Sequence, residues 1–322
     1  MTSGLVTPSA KFVRVIPGEM MVTRSLSPAS WRKPSEMART AIFVPEYTDM
    51  LNQPIFCILA TYAPHSEGLG VPLPAPRHRG MFSNVSPWRP MSYSEVDVSD
   101  KPMWMQALPL ASDPFGSGSP FTNGEWTDVF RETQLEALQA VDEAVGNVVA
   151  AIEARGQSTD TAIIYTSDNG LLWGEHRLYF TKGQPYAESV RVPLIIRYPK
   201  LAAGHQVATQ IALNIDLPAT IADIAGAQPP YALDGTSLVP ILVDPVGASG
   251  RADFLFESPY PSNFNSVGIR TDDHWEYNKY ATGEEELYNL ANDQDELESV
   301  ASDPANEALK STLAVRLSQL QQ

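Results

Sequence analysis

A single cysteine, Cys57, stands in 322 residues, which excludes an intrachain disulfide and a thiolate metal cluster. Basic residues are few as well: 22 Lys and Arg against 38 Asp and Glu leave a net charge of −16. Such a surface repels phosphate backbones and anionic headgroups, so no nucleic acid and no membrane partner is expected. No uninterrupted apolar run reaches about 18 residues, and no spanning helix is expected. Lys11, Arg14 and Glu19 break up the start of the chain, and no leader peptide is expected there. What is present is a soluble, acidic chain, 43% hydrophobic, whose length suits one large α/β domain with a smaller appendage.

Residues 1–53 carry scattered prolines and no sustained period, so this segment is expected to be mostly irregular. Ile55 to Ala60 is a continuous apolar run that reads as a strand buried on both faces. From Pro64 to Pro120 the chain is crowded with proline, glycine and serine and reads as a long surface excursion. A helix is expected from about Trp126 to Ala154, with Leu135, Leu138, Val141, Val145, Val148, Val149 and Ile152 as its apolar stripe. Arg155-Gly156 closes it with a cation in the last turn and a glycine C-cap.

Two more buried strands follow, Thr161 to Thr166 and Val192 to Arg197, and then a helix from Leu217 to Ala225 capped by Asp216 and closed by Gly226. This alternation points to a mostly parallel or mixed sheet flanked by helices. Beyond about Gly247 the runs Phe254–Glu257, Ser266–Arg270 and His274–Tyr280, broken by turn residues, suggest an antiparallel sheet, and a final helix covers about Ala305 to Leu320. The expected organisation is an irregular segment 1–53, an α/β domain 54–246 and a small α+β subdomain 247–322.

Ser167-Asp168-Asn169-Gly170 sits where a strand ends, the place where open α/β sheets bind ligands. Asp168 and Asn169 offer a carboxylate and an amide oxygen, hard donors for Ca²⁺ or Mg²⁺. An ordinary Asp-Asn-Gly turn has the same composition.

The wider context adds to this. Asp168-Asn169-Gly170 is followed by Gly174-Glu175-His176, Lys182-Gly183 and Tyr186-Ala187-Glu188-Ser189-Val190-Arg191-Val192-Pro193-Leu194. This resembles the second signature region of the sulfatase family, in the alkaline-phosphatase-like superfamily. Ala63-Pro64-His65 resembles the family's strand-end histidine. Asn214-Ile215-Asp216-Leu217-Pro218 with Leu233-Asp234-Gly235-Thr236 resembles a later helix and turn. Glu284 to Leu290 with Asp293 to Leu297 resembles the C-terminal strand and turn. The likeness covers about residues 54–320.

The resemblance implies that Asp168 and Asn169 are ligands of a divalent cation, usually calcium, with magnesium as the alternative. It implies that Lys182 touches the sulfate and that His65 lies beside the sulfate and the leaving oxygen. Lys182 is suited to stabilise developing charge on sulfuryl oxygens, and His65 to move a proton near neutral pH. His176 is either a further substrate contact or a packing residue.

The chain departs from the family at the nucleophile, a formylglycine made from cysteine in Cys-x-Pro-x-Arg. Cys57 is followed by Ile58-Leu59-Ala60 and lacks the proline and arginine. Val85-Ser86-Pro87-Trp88-Arg89 has that spacing but carries valine at the reactive position. The family's first signature region, with its Asp-Asp pair, is not matched in residues 1–52, so an N-terminally incomplete fold is expected. Weak cation binding follows, as does self-association or dependence on a complementing N-terminal half.

Three functions stay open: hydrolysis of aryl or sugar sulfates, a catalytically inactive remnant or anion-binding module, and phosphoryl transfer on the same scaffold.

Overall fold

The computed structural model describes residues 11–14, 55–66, 70–110, 125–202, 204–258 and 265–322. In chain order its elements are strands β1 (Lys11–Arg14) and β2 (Ile55–Ile58), helices α1 (Met103–Gln106) and α2 (Glu125–Ala154), and strands β3 (Ile163–Thr166), β4 (Leu172–Trp173) and β5 (Tyr179–Thr181). Helix α3 (Ala187–Val190), strand β6 (Leu194–Arg197), and helices α4 (Asp216–Ile224) and α5 (Val239–Val243) follow. The chain ends with strands β7 (Asp253–Ser258), β8 (Ser266–Thr271), β9 (Trp275–Tyr280) and β10 (Glu285–Asn289) and helix α6 (Glu307–Leu320).

Two compact units emerge, Met1–Pro87 with Asp128–Arg155, and Trp88–Thr127 with Gly156–Gln322. Residue 247 lies inside the second unit.

In the first unit β2 pairs in parallel with β1, so the segment expected to be irregular contains a strand. The remainder of residues 1–53 lies outside the described residues. β2 is not buried on both faces as expected: Ile55 and Ile58 are exposed. A two-stranded ribbon covers little of either face.

Helix α2 matches its expected span, but its most buried line is Phe130, Ala137, Ala140, Val141 and Ala144. Leu135, Leu138 and Val145 lie half-buried on the flank. Small side chains mark the line of closest approach, and the larger ones seal its edges. Buried Glu136 accepts from the Gly80 amide at 2.5 Å, and Glu143 accepts from Arg77 Nε at 3.1 Å and pairs with His78 Nε2 at 2.8 Å. These contacts fasten the turn at residues 76–80 to the helix. Gly156 has φ 66°, the left-handed C-cap expected after Arg155.

In the second unit β3 and β6 pair antiparallel as a two-stranded sheet of their own. Tyr165 and Ile195 are exposed, again short of the burial expected for these strands. The proline-rich excursion also differs from expectation. Part of it is core, because Met105 on α1 is fully buried with Leu172, Leu178, Tyr186 and Tyr288.

α4 begins at Asp216, whose side chain does not cap its own helix. Its two oxygens accept from the Leu213 and Thr236 amides at 2.8 Å each and pair with Arg251. The carboxylate therefore joins three stretches of chain at the helix N-terminus, where negative charge is favoured.

The C-terminal sheet runs β10-β9-β8-β7, antiparallel throughout, as expected from the turn residues. Its strands alternate between two buried faces. Ile269, Tyr277 and Leu287 pack under α6 through Leu313 and Leu317. The opposite face carries Glu276, Asn278, Tyr280, Glu286 and Tyr288, each almost completely buried. A face so polar and so dry requires internal partners, and Glu286 has three: the Tyr186 and Tyr288 hydroxyls donate to one oxygen at 2.8 Å each, and Tyr280 donates to the other at 2.6 Å. Burial pushes the Glu286 carboxyl above its usual range, against the lowering by Lys101 and the phenols.

Among the described residues no helix is long and apolar enough to cross a membrane.

Candidate active site

β3 delivers Ser167, Asp168, Asn169 and Gly170 at its C-terminal end. The turn is held locally: Ser167 Oγ donates to the Asn169 carbonyl at 3.0 Å, and the Asn169 amide donates to Asp168 Oδ1 at 3.0 Å. Asn214 Nδ2, just before α4, donates to the Asp168 carbonyl at 3.3 Å.

Gly170 is there for a spatial reason. A Cβ on it would lie 1.9 Å from the Glu188 carbonyl oxygen and 3.1 Å from that of Ser189, while its amide donates to the Ser189 carbonyl at 2.8 Å. Only glycine lets the turn lie flat against the start of α3.

Lys182, just past β5, donates from Nζ to Asn169 Oδ1 at 3.1 Å. The structure thus brings together Asp168, Asn169 and Lys182. The Asp168 side chain is exposed and Asn169 and Lys182 are half-buried.

The donor set fits a hard divalent cation in kind: a free-facing carboxylate beside an amide oxygen. It is small in number, since calcium takes about 6–8 oxygens, and Asn169 Oδ1 already accepts from a cation. Two side chains alone supply only a minority of those oxygens.

His65 belongs to the other unit. It is exposed, its Nδ1 donates to the Ser66 carbonyl at 2.8 Å, and Tyr62 lies at a ring-centroid distance of 5.5 Å. Because a carbonyl only accepts, Nδ1 carries a proton.

His176 departs from the substrate-contact expectation. It is fully buried, stacked on Tyr186 at 4.1 Å, with Nδ1 2.8 Å from Glu95 Oε2. Burial, and secondarily the nearby Lys101 charge, lower its pKa to about 3, so the ring is neutral. The backbone through here is unusual, with His176, Arg177 and Phe180 at φ 51°, 61° and 53°, a conformation that side chains rarely adopt.

Cys57 also differs from expectation, being exposed rather than buried. Its thiol is pushed up by partial burial, the wrong direction for an activated nucleophile.

Sequence reasoning missed Lys101. Its side chain is fully buried, with Nζ donating to the Glu296 and Leu297 carbonyls at 2.7 and 3.0 Å and lying 4.8 Å from the centre of the Tyr288 ring. A lone lysine reads as solvated, and nothing in its neighbours' spacing marks it as internal.

The sulfatase family model matches residues 11–227, and the model for the C-terminal part of N-sulphoglucosamine sulphohydrolase matches residues 174–322. The chain belongs to the sulfatase family. It is 33% identical over 260 residues to an arylsulfatase of Volvox carteri, covering 70% of this chain and 39% of that protein. It therefore spans well under half the length of that relative.

Among solved structures it resembles one described as a complex with its substrate D-glucosamine-2-N,6-O-disulfate, at a TM-score of 0.72 and 23% identity, over 84% of this chain and 65% of that one. That likeness carries the alkaline-phosphatase-like α/β fold. A phosphonate monoester hydrolase from Silicibacter pomeroyi matches at a TM-score of 0.68 and 25% identity, over 85% and 57% of the two chains.

Proposed function

We propose that this sulfatase-family chain acts on sulfate esters, aryl or sugar, with Asp168 and Asn169 as ligands of a divalent cation, calcium before magnesium. Lys182 contacts the sulfate group, and His65 exchanges a proton with the leaving oxygen. The observation that carries the reading is the 3.1 Å contact between Lys182 Nζ and Asn169 Oδ1 at the end of β3, which gives one anion a cationic side chain and a cation ligand side by side. The cation, when bound, neutralises charge on the sulfate oxygens. Lys182 orients the anion and meets charge that develops on it.

The single cysteine lacks the Pro and Arg of the formylglycine sequence, so the chain by itself holds the sulfate group without turning it over. Exposed Ile55, Ile58 and Ile195 favour self-association or a complementing polypeptide that covers them and supplies the nucleophile.

The test is titration of the purified chain with a sugar sulfate, with and without calcium, beside an assay on a fluorogenic aryl sulfate and on matched phosphate and phosphonate esters. Calcium-dependent sulfate binding that Lys182→Ala weakens, without turnover, supports the reading. Turnover of the aryl sulfate by this chain alone removes the need for a complementing polypeptide. Turnover of the phosphorus esters alone replaces the reading with the chemistry of the phosphonate hydrolase.

A further inference from the structure

The second unit holds another group of ligating side chains, apart from Asp168 and Asn169 and built of different atoms. His176, Glu188 and Glu296 each direct one ligand-type atom into a common space, all within 4.8 Å of one another. His176 and Glu296 are fully buried and Glu188 is half-buried.

Two atoms of these residues have no partner: His176 Nε2 and Glu188 Oε2 are buried without a hydrogen bond. Buried polar atoms are paired in the great majority of cases, so two orphans on the side chains of one ligating cluster point to an occupant.

The surroundings are those of a built site. Glu95 Oε2 sits 2.8 Å from His176 Nδ1, and an ionised Glu95 accepts the Nδ1 proton and leaves the lone pair on Nε2. A carboxylate behind a histidine in this way fixes ring and tautomer in metal sites. Glu296 is held by the Ala187 amide at 2.8 Å and by Arg270 Nη2 at 3.2 Å. Glu188 is held by its own backbone amide and by a long 3.5 Å contact from Ser92 Oγ to its other oxygen.

We infer that His176, Glu188 and Glu296 form a buried site for a divalent cation of the zinc class. One imidazole nitrogen with two carboxylates is a zinc-type donor set, whereas calcium prefers oxygen alone. Ligands about 2.0–2.1 Å from a tetrahedral zinc stand roughly 3.4 Å apart, and rotation of Glu188 supplies the contraction. Carboxylates outnumber cations here: Glu95, Glu188, Glu276 and Glu296 face Lys101 and Arg270. A divalent ion offsets that excess. The inference does not rest on the sulfate-ester reading.

The experiment is equilibrium dialysis of the full chain against micromolar ZnCl₂, and separately CaCl₂, with bound metal counted by mass spectrometry and thermal unfolding followed in parallel. One zinc per chain is expected, with a melting temperature that rises with zinc concentration. Glu188→Gln, nearly isosteric, is expected to lose the zinc. Glu95→Gln is expected to weaken it by about 10–100-fold through the ring it orients, and Asp168→Asn to leave it unchanged. Near-UV circular dichroism confirms that each variant is folded. Zinc well below one per chain, zinc retained in folded Glu188→Gln, or calcium competing equally for the site would each overturn the inference. Bound Co²⁺ with the intense visible bands of a tetrahedral site would support it from the wild-type chain alone.

Discussion

Replacing Glu286 by alanine removes the acceptor shared by three buried phenols. Tyr186, Tyr280 and Tyr288 are each at most 2% exposed, and each donates to this carboxylate at 2.6–2.8 Å. A buried hydroxyl left without a partner costs about 1–3 kcal/mol. Tyr186 keeps the Met105 sulfur as an acceptor at 3.1 Å and water entering the vacated volume rescues part of the rest, so the expected loss is about 2–5 kcal/mol, a large share of a typical stability of about 5–15 kcal/mol.

Glu286→Gln separates charge from shape. The folded-state pKa of Glu286 is raised by burial, so between the unfolded value, about 4.3, and the raised one the folded chain binds more protons. Its contribution is then fully present below the unfolded value and is lost as pH rises through the folded one. Glutamine stays neutral, so the stability difference between wild type and Glu286→Gln is expected to move in favour of the variant as pH rises above the unfolded value. Urea unfolding at several pH values, followed by near-UV circular dichroism, measures both effects. A cost under about 1 kcal/mol for alanine, or a wild-type-minus-glutamine difference that grows with pH, refutes the reasoning.

Gly170→Ala places a methyl 1.9 Å from the Glu188 carbonyl oxygen. Overpacking with a strained backbone hydrogen bond is expected to cost about 2–4 kcal/mol, read as a lower urea midpoint. Asp216→Ala strips the Leu213 and Thr236 amides and Arg251 of a buried acceptor and is expected to cost about 3–5 kcal/mol, whereas Asp223→Ala, which frees only the Ser237 hydroxyl, is expected to cost about 1 kcal/mol or less. Lys182→Ala is expected to weaken sulfate binding about tenfold, the equivalent of about 1.4 kcal/mol, measured by calorimetry; unchanged affinity would remove Lys182 from the anion site.

Elements with a clear period were legible in the sequence, and groups defined by contact were not. α2, the C-terminal strands and α6 fall where spacing and turn residues put them. Within α2 the stripe read from large residues meets the buried line at Val141 and otherwise flanks it, the line running through Ala137, Ala140 and Ala144, because hydrophobic size tracks volume and closest approach needs small side chains. Asp168, Asn169 and Lys182 were readable from their motif, and their mutual contact was not, since it depends on a loop folding back. The polar sheet face was hidden for a different reason. Glu286 and Tyr288 share a strand face at a spacing of two, which is visible, but a glutamate in a strand reads as solvent-facing until Tyr186 and Tyr280 are known to close over it.

The two candidate cation sites are mechanically joined, which bears on why the stretch from β3 to α3 is built as it is. Asp168 and Asn169 lie on one side of Gly170, and Gly170 rests on the backbone of Glu188 and Ser189, whose side chains serve different ends. Glu188 faces the His176 cluster, while Ser189 Oγ accepts from the Gly183 amide at 2.7 Å, one residue beyond Lys182. A displacement of α3 therefore shifts three things at once: the turn bearing the oxygen donors, the loop bearing the lysine, and Glu188 of the buried histidine–carboxylate group. Packed contacts of this kind resist continuous deformation. Gly170 thus ties the turn that carries Asp168 and Asn169 to the backbone of Glu188 and Ser189, and Ser189 ties that backbone to the loop after Lys182.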